Sequence, residues 1–139
     1  MKKTSLILLL CWCLILFFGC TGQEKTISHS LAVRNTSKAE IVLKRVTIND
    51  QDYLNQNIEL TAPTEKAAGG EYWAVFTAGN TIRVTVVIED NASGSEFTIT
   101  DKLIDNAGEG FAVTMEYLGN GKARFDTSKV GRLSVWGSK

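Results

Sequence analysis

Few side chains in this sequence are equipped for chemistry, and their spacing limits what they can do. The chain holds one histidine, His29, and three cysteines, Cys11, Cys13 and Cys20. Cys11 and Cys13 sit inside a long apolar run, which leaves Cys20 as the one cysteine in a polar setting. A lone imidazole and a lone thiol do not complete a zinc site, which takes three or four such ligands. As a general base His29 would need a nucleophile and an orienting partner. Ser and Thr are plentiful, but none stands in the Gly-x-Ser-x-Gly turn that exposes a nucleophile. His29 is therefore expected at the surface of a first strand.

Oxygen ligands are more abundant. The stretch Asn49 to Asn57 (NDQDYLNQN) gathers amides and carboxylates that would suit a hard cation. Leu54 stands where an EF-hand loop has its third ligand, and no glycine follows. Asp101, Asp105 and Glu109 form a second acidic group, interrupted by Leu103-Ile104 and Gly108. Both groups read as turn residues whose side chains bond their own backbone. No metal, cofactor or catalytic residue is assigned.

The elements that must position these residues begin with a leader. Met1-Lys2-Lys3 is a basic start, and Leu6 to Phe18 (LILLLCWCLILFF) is almost continuously apolar. Gly19 is small enough for a cleavage site, so residues 1–19 have the three-part layout of an export signal, expected to be helical. An apolar run of about 13 residues is short for a bilayer, whose ~30 Å core takes about 20. Phe17-Phe18-Gly19-Cys20 resembles the lipobox of bacterial lipoproteins, with Phe17 where that family usually carries Leu. The resemblance covers only the first 20 residues. It implies cleavage before Cys20, two or three acyl chains on that residue, and membrane attachment in the bacterial envelope. Residues 20–25 would then be a tether of at most ~20 Å, at ~3.3–3.6 Å per residue. The export reading also leaves no second cysteine for an intramolecular disulfide, so the fold must rest on packing.

From Thr26 onward the pattern alternates with period two, and no helical stripe of about ten residues can be drawn. In Thr81 to Glu89, Ile82, Val84, Val86 and Ile88 share one face. Phe111, Val113, Met115 and Tyr117 do the same, and Tyr72, Ala74 and Phe76 oppose Trp73, Val75 and Thr77. Ile27 to Asn35, Glu40 to Asn49, Asn57 to Thr61, Glu96 to Leu103 and Lys122 to Asp126 complete about eight strands. Within Glu40 to Asn49 the apolar phase slips from Ile41 and Leu43 to Val46 and Ile48, which predicts a bulge near Lys44-Arg45. Asn120-Gly121 predicts a two-residue hairpin. Residues 26–139 therefore read as one all-β domain, an antiparallel β-sandwich of seven to nine strands. It resembles immunoglobulin and fibronectin type III modules in strand count alone, since the Cys…Trp…Cys core is missing. The tail after Lys129 carries Val130, Leu133, Val135 and Trp136, and is expected to dock on the sandwich or add a strand.

The phase of the Tyr72–Thr77 strand matters for function. Large aromatics are packed more often than displayed, which favours Trp73 and Val75 inward and Tyr72 outward. The opposite phase would display Trp73 as an interaction residue, with Arg83 as a neighbour and Trp136 as a further contact. Charge excludes other partners. Removing Lys2 and Lys3 from the 15 basic residues leaves 13 against 15 acidic ones, a net charge of −2. No basic cluster exceeds the pair Lys44-Arg45, so nucleic acid is not expected as a partner. The expected function is a non-enzymatic binding or structural module, held on a membrane by lipid on Cys20 and meeting an envelope protein or glycan. Two alternatives carry distinct requirements. An envelope hydrolase needs His29 beside a serine and a carboxylate, and a membrane-active sandwich needs an exposed aromatic cluster at one end.

Overall fold

The computed structural model describes residues 26–106 and 108–129. The leader 1–19, Cys20 with its tether, and the tail holding Trp136 lie outside the described residues. The described chain is all-β: β1 Ile27–Asn35, β2 Ile41–Ile48, β3 Gln51–Asp52, β4 Ile58–Leu60, β5 Glu71–Ala78, β6 Thr81–Asp90, β7 Ser95–Ile104, β8 Phe111–Gly119 and β9 Lys122–Lys129. All eight expected strands are present. The strand beyond that count is β3, inside the oxygen-rich stretch.

The strands form two sheets packed as a sandwich. One sheet has the order β5-β1-β8-β9, and the other has β3-β2-β6-β7, with β4 also on β2. Every pairing is antiparallel except β1 with β8. Alternation explains the core directly. Leu31, Val33, Val113, Met115 and Tyr117 point inward from the first sheet, and Ile41, Leu43, Val46, Ile48, Ile82, Val84, Val86 and Ile88 from the second. Each aliphatic side chain so buried contributes about 1.5–3 kcal/mol of transfer energy.

The predicted bulge is present. Leu43 pairs with Ile88 and Arg45 with Val87, so Lys44 has no opposite number and the apolar phase is restored. The predicted hairpin is present too. Asn120 (φ 53°) and Gly121 (φ 71°) both occupy the left-handed region between β8 and β9, as a type I′ turn demands. Register also sorts the loops to the two ends of the sandwich. Ile27 pairs with Ala78, which places the root of the N-terminal segment beside the β5–β6 turn. Asn35, the 90–94 turn and the 119–121 hairpin lie at the far end.

Candidate functional site

His29 is not at the surface. It is 1% exposed, in the same phase as Leu31 and Val33, and packs between two rings. Phe76 stacks on it at 5.5 Å and Phe111 meets it edge-on at 4.9 Å. The Phe111 N–H donates to Nδ1 at 3.3 Å, and Nε2 lies 3.2 Å from the Gly79 carbonyl. That pattern assigns a neutral ring with its proton on Nε2. The imidazole thus satisfies backbone groups of β8 and the β5–β6 turn, and its nitrogens are occupied. The hydrolase requirement of a serine and a carboxylate on His29 is not met by these contacts. Alternation carried the warning: a polar residue in phase with two core aliphatics is itself a core residue.

The oxygen-rich stretch is spent on structure. Asn49 (φ 49°) and Asp50 (φ 65°) make the β2–β3 turn. The Asn49 Oδ1 accepts the Arg83 N–H at 2.8 Å, while Asp52 pairs with Arg45 at 2.7 Å on the surface. In the second acidic group, Asp105 accepts the N–H groups of Gly108 and Gly110 at 3.0 and 2.8 Å and so closes its own loop. Gly110 has φ +83°, and a Cβ there would meet the Ser28 carbonyl at 2.3 Å, so the loop is built around it. Among the described residues no three His, Cys, Asp or Glu side chains gather as metal ligands.

The phase of β5 is the reverse of the packing-based preference. Trp73 is 49% exposed and Val75 73%, while Ala74 and Phe76 are buried and Tyr72 packs against the core. The Tyr72 hydroxyl is accommodated in this phase. It donates to the Tyr53 carbonyl at 3.1 Å, so Tyr72 fills a half-buried site with its polar end satisfied. Across from Trp73 and Val75 stand Ala32 and Ser30, followed on β8 by Thr114 and Ala112. These small side chains are the lateral neighbours of Trp73 and Val75 in the sheet. Ser30, Ala32 and Ala112 are buried, and the Ser30 hydroxyl finds no hydrogen-bond partner among the described residues. Next along the strands runs a row of charges. Glu71, Arg34, Glu116 and Arg124 alternate across all four strands, with Arg34 2.9 Å from Glu71 and 3.9 Å from Glu116, and Arg124 bonded to Glu116.

Arg83 does not join this surface. It is exposed on β6, whose outward side chains leave the opposite face of the sandwich. Sequence distance had suggested proximity; assignment of β5 and β6 to different sheets removes it. Trp73 is the exposed aromatic among the described residues, and it lies on a sheet face. The end cluster required of a membrane-active sandwich is therefore not formed by them.

Two polar centres escaped the sequence reading. Asn35 is fully buried, and its Nδ2 reaches the carbonyls of Ala39, Leu60 and Thr61 at 2.8, 2.9 and 3.1 Å. Its Oδ1 accepts from the Ser37 N–H and hydroxyl, so one amide ties β1 to β4 and the loop between β1 and β2. Asp90 is buried at the end of β6 and accepts the Tyr117 hydroxyl at 2.7 Å and the Asn120 N–H at 3.2 Å. The Tyr117 hydroxyl holds the Asp90 carboxyl below its ordinary value, helped by N–H donors of its turn and of the hairpin. Burial first, and the Asp90 carboxylate in addition, push the Tyr117 hydroxyl up to about 12. This latch fastens one sheet to the other at the end far from Ile27. No protein-family model and no curated protein matches the chain.

Proposed function

We propose that this chain is a lipid-anchored protein of the bacterial envelope whose sandwich is a non-enzymatic binding module. The observation that carries the binding role is the display of Trp73 and Val75 on the outward face of β5. Exposed aromatic and β-branched residues standing together mark interaction surfaces, and a rigid indole is a frequent anchor of a protein interface. Trp73 is paired with Ala32, five residues along from Ile27, which at ~3.4 Å per residue puts it ~17 Å from the root of the tether. A partner protein is favoured over a glycan because the exposed neighbour of Trp73 on its strand is the apolar Val75 and an ion pair of Arg34 with Glu71 flanks it, a mixed apolar and charged surface.

The anchor half of the proposal rests on the lipobox-like run ending at Cys20. It implies one lipid-modified residue and a domain held within ~20 Å of the bilayer. Two measurements test the two halves. Mass spectrometry of the mature N-terminus is expected to find acylated Cys20, and any other starting residue overturns the anchor. A photo-crosslinking amino acid at position 73 in the full chain is expected to capture a second envelope protein, while the same probe at position 83 captures none. Absence of a foreign adduct at 73 overturns the binding role.

A further inference from the structure

We propose that β5 is a dimerisation edge, pairing antiparallel with β5 of a second copy of this chain. This inference goes beyond partner binding and draws on the same two exposed residues, Trp73 and Val75, but rests on the backbone edge of β5 and not on that reading. It starts from how the sheet margins are defended. An open edge presents unpaired N–H and C=O groups, and stable monomers blunt such edges with charges, inward-pointing acids or short strands. The margin at β9 carries Lys122, Arg124 and Asp126. At β7 the margin carries Glu96 and Lys102, and turns Asp101 toward the inner face opposite Val84. At the remaining margin β3 and β4 are two and three residues long. Among the described strands only β5 is long and unguarded, with no charge from Tyr72 to Ala78 and with Trp73 and Val75 exposed.

The edge is also complementary to itself. The Asn35 N–H bonds the Gly70 carbonyl at 3.0 Å, in register with the β1–β5 ladder. Alternation from there directs the backbone groups of Glu71, Trp73, Val75 and Thr77 at the open side. A two-fold axis through Ala74 sets Trp73 opposite Val75 of the second copy, and Glu71 opposite Thr77. Aromatic meets β-branched, and the one charge on the strand meets a hydroxyl instead of its own kind. The contact is isologous, so each copy spends its open edge and the assembly closes at two. The resulting eight-stranded sheet ends at both sides in β9, the charged margin, which stops further growth. Antiparallel pairing sends the two tethers from opposite ends of the pair, so both reach one bilayer when the strands lie along its surface.

The test uses the full chain in a bacterial envelope, then solubilised in detergent. An Ala74→Cys variant is expected to form a disulfide-linked dimer on oxidation, because position 74 faces its own copy across the axis. Arg124→Cys on β9 is expected to give none. Light scattering of the unmodified solubilised chain is expected to give the mass of two copies, and Val75→Lys, at an exposed position, to reduce it to one. A single-copy mass throughout the micromolar range overturns the proposal. So does a dimer that persists in Val75→Lys without an Ala74→Cys link, since it would use another surface. A single-copy protein that still captures a foreign partner through position 73 would leave the binding role standing and remove this one.

Discussion

β5 and β9 are both eight-residue strands, and they bound the same four-stranded sheet. Backbone geometry gives them equal capacity to recruit another strand, yet their side chains treat that capacity in opposite ways. Outward positions of β9 hold Lys122, Arg124 and Asp126, and Arg124 is tied to Glu116 on β8. Outward positions of β5 hold Trp73, Val75 and Thr77, with Glu71 alone charged and already engaged by Arg34. A strand approaching β9 must desolvate charges, while one approaching β5 covers apolar surface. Equal backbone and unequal side chains mean that exposure on β5 is specified, not incidental. The ends differ as well. The β9 hairpin is latched by Asp90 and Tyr117, whereas the approach to β5 is braced by Asn35.

These braces can be broken separately. Asn35→Ala removes an amide that meets three carbonyls and one serine, leaving buried groups without partners. A loss of about 3 kcal/mol is expected in urea unfolding, with β5 and β4 amides losing hydrogen-exchange protection first. Tyr117→Phe is expected to cost about 2 kcal/mol, the range for a hydrogen bond to a carboxylate, and to loosen the β9 side instead.

The latch also sets a pH signature. Asp90 titrates below its ordinary value in the folded chain, so its stabilisation is present above that ordinary value and is lost as pH falls through the folded one. Tyr117 titrates at about 12, so its share holds below about 10 and is lost as pH rises through 12. Both slopes are expected to shrink in Tyr117→Phe when stability is followed against pH.

Smaller effects sharpen the contrast between the edges themselves. Replacing Arg124 and Asp126 with Val makes β9 resemble β5. Stability is expected to change by no more than about 1 kcal/mol, the worth of an exposed ion pair, while light scattering detects new association beyond two copies. Val75→Lys should move stability by less than about 0.5 kcal/mol, because the side chain is 73% exposed, and its effect should fall on association alone. A large stability loss in that variant would show Val75 to be a packing residue and would erase the contrast.

Much of this architecture was legible in the residues. Period-two alternation located eight strands, the phase slip at Lys44-Arg45 located the bulge, and Asn120-Gly121 located the hairpin, because each is a local consequence of backbone geometry. The site was far less legible. Sequence offered Trp73 only as one of two phases, and the preferred phase placed it inside. Alternation states which residues share a face, but not which face meets the other sheet. The observed phase goes with contacts from distant segments: Phe76 packs on His29 and Tyr53, and the Tyr53 carbonyl accepts the Tyr72 hydroxyl from 19 residues away. His29 was misplaced for a related reason: its donor and acceptor partners at Phe111 and Gly79 are 82 and 50 residues distant. Arg83 looked close to Trp73 because β6 follows β5, and only the assignment of strands to sheets separated them.

The sequence by itself determined the elements, their turns and the residues sharing each face, since these follow from interactions within a few residues. Tertiary structure alone decided which strands became margins, which face of β5 met solvent, and which buried polar groups found partners. Those outcomes depend on pairings between distant segments, where the free energy of one hydrogen bond or one desolvated ring selects between two arrangements of identical local pattern.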